Sequence, residues 1–186
     1  MKIGFALCGS FCTFSEVFPI VETLSSQHTV VPIMSAAASA TDTRFGMAET
    51  HKNLLSKICG QMPLCTIPEV EPIGPKKLLD ALIIAPCTGN TRAKLAHRIA
   101  DTSVTMAVKS HLRNGRPVLI ALSTNDALGG AAENIGKLLA RKHYYFVPFS
   151  QDDALGKPTS MIADFSKIPE ALDAALQNRQ LQPVIL

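Results

Sequence analysis

Residues 82–101 constrain the fold of this chain more than any other stretch. They open with a continuous apolar run, Leu82-Ile83-Ile84-Ala85. A run without polar alternation makes a strand that is covered on both faces, as in a parallel sheet with helices on either side. The polar loop Pro86-Cys87-Thr88-Gly89-Asn90-Thr91 follows at once. Apolar residues then recur at helical spacing, Ala93, Leu95, Ala96, Ile99 and Ala100, which predicts a helix over 90–100. The loop stands at the carboxyl end of a buried strand and at the start of a helix. Free N–H groups and the positive end of the helix dipole face any ligand there. Capping the helix needs one hydroxyl or amide side chain. Three stand within four positions, Thr88, Asn90 and Thr91, so the loop reads as a ligand loop.

The same alternation runs through the chain. Strands are expected at 2–8, 29–34, 82–85, 117–122 and 144–147, with a short edge strand at 64–67. Helices are expected at 14–26, 50–59, 90–100, 103–113, 130–141 and 169–177. This is an α/β chain with a mainly parallel sheet, read as a single domain over 1–186. Right-handed crossovers then bring loops 9–15, 35–45, 86–91 and 123–130 to one edge of the sheet.

Composition excludes several classes. No apolar run reaches the roughly 18 residues of a membrane span, and the start of the chain carries no signal-peptide pattern. The net charge of +3 is spread along the chain, without the basic stripe and aromatics of a nucleic-acid binder. The five cysteines, Cys8, Cys12, Cys59, Cys65 and Cys87, form no C-x-x-C pair. They read as reduced thiols, and Cys87 as a small apolar filler. His28, His51, His97, His111 and His143 show no metal-ligand spacing and are expected on surfaces or helix faces, so no metal is expected. A hydrophobic fraction of 47% on a short chain points to apolar surface covered by another copy of the chain or a partner.

The four loops share a chemistry. The first, Gly9-Ser10-Phe11-Cys12-Thr13, combines close backbone approach with hydroxyls. It lacks both G-x-G-x-x-G and a P-loop lysine, so neither a dinucleotide fold nor an NTPase is indicated. Ser35-Ala36-Ala37-Ala38-Ser39 leaves room for a ligand, and Ser123-Thr124-Asn125-Asp126 adds further hydroxyl and amide groups. Neutral donors converging from several helix starts suit the phosphate of a mononucleotide.

Gly9-Ser10, Ser35, Ala85-Pro86-x-Thr88-x-Asn90-Thr91, Lys94, Ala96 and Ile99-Ala100-Asp101 together resemble the flavoprotein family. That family contains FMN-dependent cysteine-type decarboxylases and flavin prenyltransferases. The resemblance covers about residues 1–150 and implies a Rossmann-like three-layer α/β/α sandwich in a trimer-based homo-oligomer. It implies FMN, or a phosphate in its place, on Gly9, Ser10, Phe11, Ser35, Pro86, Thr88, Gly89, Asn90, Thr91, Ser123 and Thr124. Two family features are altered. Pro72 stands near the place of the decarboxylases' histidine, and Leu122-Ser123-Thr124-Asn125 replaces a Pro-Ala-Met-Asn motif. Both count against decarboxylation and leave Asn125 as the candidate catalytic residue.

The tail, from Pro148-Phe149 through Lys157-Pro158 and Ser160 to Gln180-Leu181-Gln182-Pro183, resembles one branch of the family. Its members belong to a two-component cytoplasmic synthase of an aromatic dicarboxylate in sporulating bacteria. The resemblance implies a companion protein that carries the NADP site. The alternatives are an FMN- or mononucleotide-binding component with no chemistry of its own and an FMN-dependent decarboxylase of the same family. Cations suited to a dicarboxylate are Arg44, Arg92, Lys94 and Lys157, although long cations on helices usually belong to solvated faces.

Overall fold

The computed structural model describes residues 1–186. Its frame is a parallel sheet of five strands: β1 (Lys2–Leu7), β2 (Thr29–Met34), β3 (Ala81–Cys87), β4 (Val118–Thr124) and β5 (Tyr144–Phe146). Their spatial order is β2-β1-β3-β4-β5. Phe5 lies between Pro32 on one side and Ile83 on the other, and Ile83 pairs onward with Leu119. All seven residues of β3 are buried, as its unbroken apolar run requires.

The helices are α1 (Phe14–Gln27), α2 (Ala36–Ala40), α3 (Ala48–Cys59), α4 (Ile67–Val70), α5 (Gly89–Ala96), α6 (Ser103–Leu112), α7 (Ala132–Leu139) and α8 (Ile168–Leu176). Helices α1 and α8 pack on one face of the sheet, and α5, α6 and α7 on the other. A core of 47 buried residues runs from Ile3 to Leu172 between these layers. The three-layer α/β architecture expected from the alternation is present.

The structure departs from the expected elements in four places. The edge strand at 64–67 reduces to one bridge, Leu64 beside Ile33, because Ile67 begins α4 behind the Thr66–Glu69 capping box. The helix expected over 90–100 starts at Gly89 and stops at Ala96, which leaves Ile99 nearly half exposed. The small residues after Ser35 form the short helix α2 rather than an open loop. The tail adds two strands too short to read from an apolar run, β6 (Phe149–Ser150) and β7 (Met161–Ala163). They pair antiparallel, and β7 also pairs antiparallel with the end of β4, Ser123 opposite Ile162.

Strand order decides where a ligand can go. From β1 the chain steps to one side to reach β2, and the strands from β3 onward extend to the other. The two directions part between β1 and β3. In open α/β sheets this switch point opens a crevice beyond the carboxyl ends of the strands. The loops after β1 and β3 flank it.

Candidate functional site

The four loops meet at that edge. The Ser10 hydroxyl oxygen, after β1, lies 2.8 Å from that of Ser123 at the end of β4. The Thr91 hydroxyl, in the first turn of α5, donates to the Cys8 sulfur at the end of β1 at 3.4 Å, spanning the switch point. A Cβ on Gly9 would lie 3.2 Å from the Ala37 methyl, so the β1 loop and α2 approach closely only because residue 9 has no side chain. The Ser35 N–H donates to the Leu7 carbonyl, and its hydroxyl oxygen caps α2 by accepting from the Ala38 N–H at 3.2 Å.

Each site candidate has a definite place. Phe11 is half-buried, its ring 5.3 Å from Phe14. Thr88 is the N-cap of α5: its hydroxyl accepts from the Thr91 N–H at 3.4 Å and donates to the Thr91 hydroxyl at 3.1 Å. Gly89 opens the helix, and Asn90 is exposed in its first turn. Thr124 donates to Asp126 Oδ1 at 2.6 Å. Pro86 is a correction. It lies buried within β3, which extends through Cys87 past a register shift, so the loop proper begins at Thr88. Asn125 is exposed and tied to the tail: its carbonyl accepts from the Thr159 hydroxyl at 2.7 Å, and its Oδ1 from the Ser160 hydroxyl at 3.5 Å.

The cations divide sharply. Lys94 pairs with Asp101 at 2.8 Å and Lys157 with Asp152 at 3.1 Å. Arg44 is exposed and stacks on Phe45. Arg92 departs from the solvated face expected of it, being completely buried. Two histidines are corrections as well. His51 is packed among Phe14 and Phe18, and His111 is fully enclosed with Nε2 3.1 Å from the Pro117 carbonyl. Burial pushes the His111 pKa down to about 4, which keeps the ring neutral.

The two buried thiols at the crevice, Cys8 and Cys87, are not nucleophiles. Burial raises the Cys8 pKa to about 11 and raises that of Cys87 further still. Both therefore stay protonated at neutral pH. Cys87 is the apolar filler that its place in a buried strand dictates. A cavity of about 550 Å³ lies elsewhere, between the end of α5, α6 and the start of β5. None of the candidate residues lines it. The crevice outranks it as the candidate site because hydroxyls, free helix N–H groups and the switch point coincide there.

The sequence reading missed three contributors: Cys8 as the partner of Thr91, Asp126 as the partner of Thr124, and the Thr159-Ser160 pair behind Asn125. Asp126 stood inside the loop already singled out. Ser160 stood among the tail residues of the resemblance. Only contact geometry gives either a role.

The flavoprotein family model matches residues 1–170. The chain belongs to the flavoprotein family. This flavoprotein is 41% identical over all its 186 residues to the B-type subunit of dipicolinate synthase from Bacillus subtilis (strain 168), covering 93% of that protein. Its structure matches the crystal structure of the corresponding B-type dipicolinate synthase protein from Bacillus halodurans C with a TM-score of 0.91 at 41% identity, covering 100% of this chain and 95% of that one. The FMN-dependent cysteine decarboxylase SpaF shares the fold, with a TM-score of 0.70 at 24% identity, over 94% of this chain and 97% of that one. No helix is long and apolar enough to cross a membrane.

Proposed function

We propose that this chain is the B-type subunit of a dipicolinate synthase, working with an A-type subunit to form pyridine-2,6-dicarboxylate during sporulation. The substrate is a dihydrodipicolinate-type precursor from the lysine pathway. The observation that carries this reading is full-length identity of 41% to a B-type dipicolinate synthase protein, combined with a ligand crevice at the β1/β3 switch point. In this reading the chain resides in the cytoplasm of the mother cell and assembles as a trimer-based homo-oligomer. NADP is held by the A-type subunit, since this chain has no dinucleotide fingerprint.

FMN fits the residues present. Gly9 leaves its backbone open beside α2, and hydroxyls of Ser10, Thr88, Thr91, Ser123 and Thr124 line the crevice without a lysine. Gly9, Ser10 and Ser35 would meet the phosphate or the flavin; Thr88, Gly89, Asn90 and Thr91 the ribityl and phosphate groups. Pro86, buried in β3, supports that loop from beneath. When bound, FMN supplies a two-electron acceptor suited to aromatising a dihydropyridine. Phe11 walls the first loop. Asn125, held by the Thr159-Ser160 pair, orients the substrate by amide hydrogen bonds, each worth about 0.5–1.5 kcal/mol.

A second reading, a flavin- or phosphate-binding component without chemistry of its own, is favoured by one observation. The buried thiols Cys8 and Cys87 are locked as thiols and His111 is enclosed elsewhere, so none of the three carries a proton at the crevice. Two measurements separate the readings. The absorbance spectrum of the purified chain should show oxidised flavin, and dipicolinate formation by the A-type subunit should depend on this chain. An Asn125→Ala variant should lower the activity of the mixture and leave the fold intact. Full activity of the A-type subunit by itself would overturn the joint site, and so would an Asn125→Ala mixture as active as wild type.

A further inference from the structure

Arg92 is a physical anomaly. It is completely enclosed, yet none of its guanidinium nitrogens has a hydrogen-bond partner. A guanidinium carries five donors and stays charged in proteins. A buried charge without partners opposes folding, and apolar replacements of such groups are often neutral or stabilising. Packing alone gives no reason for an arginine here.

Its location supplies one. Arg92 Nη2 lies 3.6 Å from where a Cβ on Gly89 would stand, beside the first residue of α5. Within that first turn the Thr91 N–H is taken by the Thr88 hydroxyl and the Arg92 N–H by the Thr88 carbonyl. The N–H groups of Gly89 and Asn90 have no intrahelical acceptor, as at any helix start. The Thr124 hydroxyl, 2.9 Å from the same Cβ position, and Asp126 Oδ1, 3.3 Å from it, stand on the same side of Gly89 as the guanidinium. Asp126 is the carboxylate whose charge acts on Arg92, the Cys87 thiol beside it being neutral. Asp126 forms no ion pair with it, and its carboxylate is engaged by Thr124.

We propose that Arg92 is the buried counter-charge for an oxyanion of the ligand, a phosphate or a carboxylate, seated on the Gly89 and Asn90 N–H groups at the start of α5. It acts through its field at the start of α5, without touching the anion. It is therefore a positioning and specificity residue. In a low-dielectric setting a full charge at this range adds far more than the half-charge of the helix end. Asp126, beside the same glycine, opposes the anion by like charge. This inference rests on the reading of the loop edge as the ligand site.

The test uses the full chain and calorimetric titration with four probes: inorganic phosphate, FMN, riboflavin and dipicolinate. Arg92→Met should melt at or above the wild-type temperature and lose at least about tenfold in oxyanion affinity. Arg92→Lys, which keeps the charge, should retain most of that affinity. Asp126→Asn should tighten it. If the loss falls on phosphate and FMN and spares dipicolinate, the anion is a phosphate; the reverse pattern assigns a carboxylate. Riboflavin, which lacks both groups, should bind Arg92→Met and wild type alike. Unchanged affinity for every anionic probe in Arg92→Met would overturn the proposal. So would Asp126→Asn with unchanged anion binding, an arm that stands even if Arg92→Met does not fold. A wild-type chain that binds phosphate or dipicolinate through Arg92 but no flavin would refute the flavin reading and leave this one intact.

Discussion

The hydroxyls of Ser10 and Ser123 lie 2.8 Å apart although 113 residues separate them in the chain. They end two parallel strands, β1 and β4, that are not neighbours; β3 runs between them. Their contact therefore closes the crevice over the end of β3 and places neutral donors where an anion would rest. Ser10→Asp puts a carboxylate at this point. It should abolish binding of phosphate or FMN through like-charge repulsion, while the far-ultraviolet circular dichroism stays that of wild type. Titration showing unchanged affinity would remove Ser10 from the site.

Gly89 is the second place where geometry admits little change. A methyl there would stand 2.9 Å from the Thr124 hydroxyl oxygen, tighter than van der Waals contact. Gly89→Ala forces the α5 start and the 124–126 loop apart. Overpacking of this kind costs about 1–3 kcal/mol. A lower melting temperature together with weaker ligand binding is expected from thermal melts and titration. A variant unchanged in both would show that the loops yield freely.

His111 predicts how stability depends on pH. Its folded pKa, lowered to about 4 chiefly by burial, lies below the ordinary value of 6.5. In that interval the unfolded chain binds a proton that the folded chain excludes. The ring's contribution is fully present above about pH 6.5 and is lost as pH falls towards 4. At 1.36 kcal/mol per unit it amounts to about 3 kcal/mol, of which about 2 kcal/mol is lost by pH 5. Urea unfolding at pH 7 and pH 5 should show this loss, and His111→Phe should flatten that part of the profile. An acid limb unchanged in the variant would assign it to other groups.

The assembly is open to direct measurement. Leu155 is almost wholly exposed and Leu128, Met47 and Met62 are more than half exposed, apolar surface that another copy would cover. Light scattering at micromolar concentration should give a multiple of three chains. A monomer would exclude the trimer-based assembly.

The sheet was legible because its strands are apolar runs, and hydrophobic burial acts on runs whatever lies elsewhere in the chain. β2 falls at Thr29–Met34 as the pattern requires, and the helices after β1 and before β4 start where expected. Handedness of the crossovers then sent Ser10, Ser35, Thr88 and Ser123 to one edge, which the structure bears out. The two tail strands were not legible. They are two and three residues long and exist because β4 and each other offer them partners.

The parallel sheet, the loops that meet and the family are encoded locally. Local periodicity and short motifs carry those, and both are written in consecutive residues. Tertiary structure alone decided which polar groups are enclosed. Arg92 sits in the same helical pattern as Lys94, yet one is sealed without a partner and the other pairs with Asp101 in solvent. Two helix positions apart, they face different surroundings, since each residue turns the helix by about 100°. What fills the space on either side is set by Gly89, Thr124 and Asp126, residues whose nearness to Arg92 no local pattern encodes.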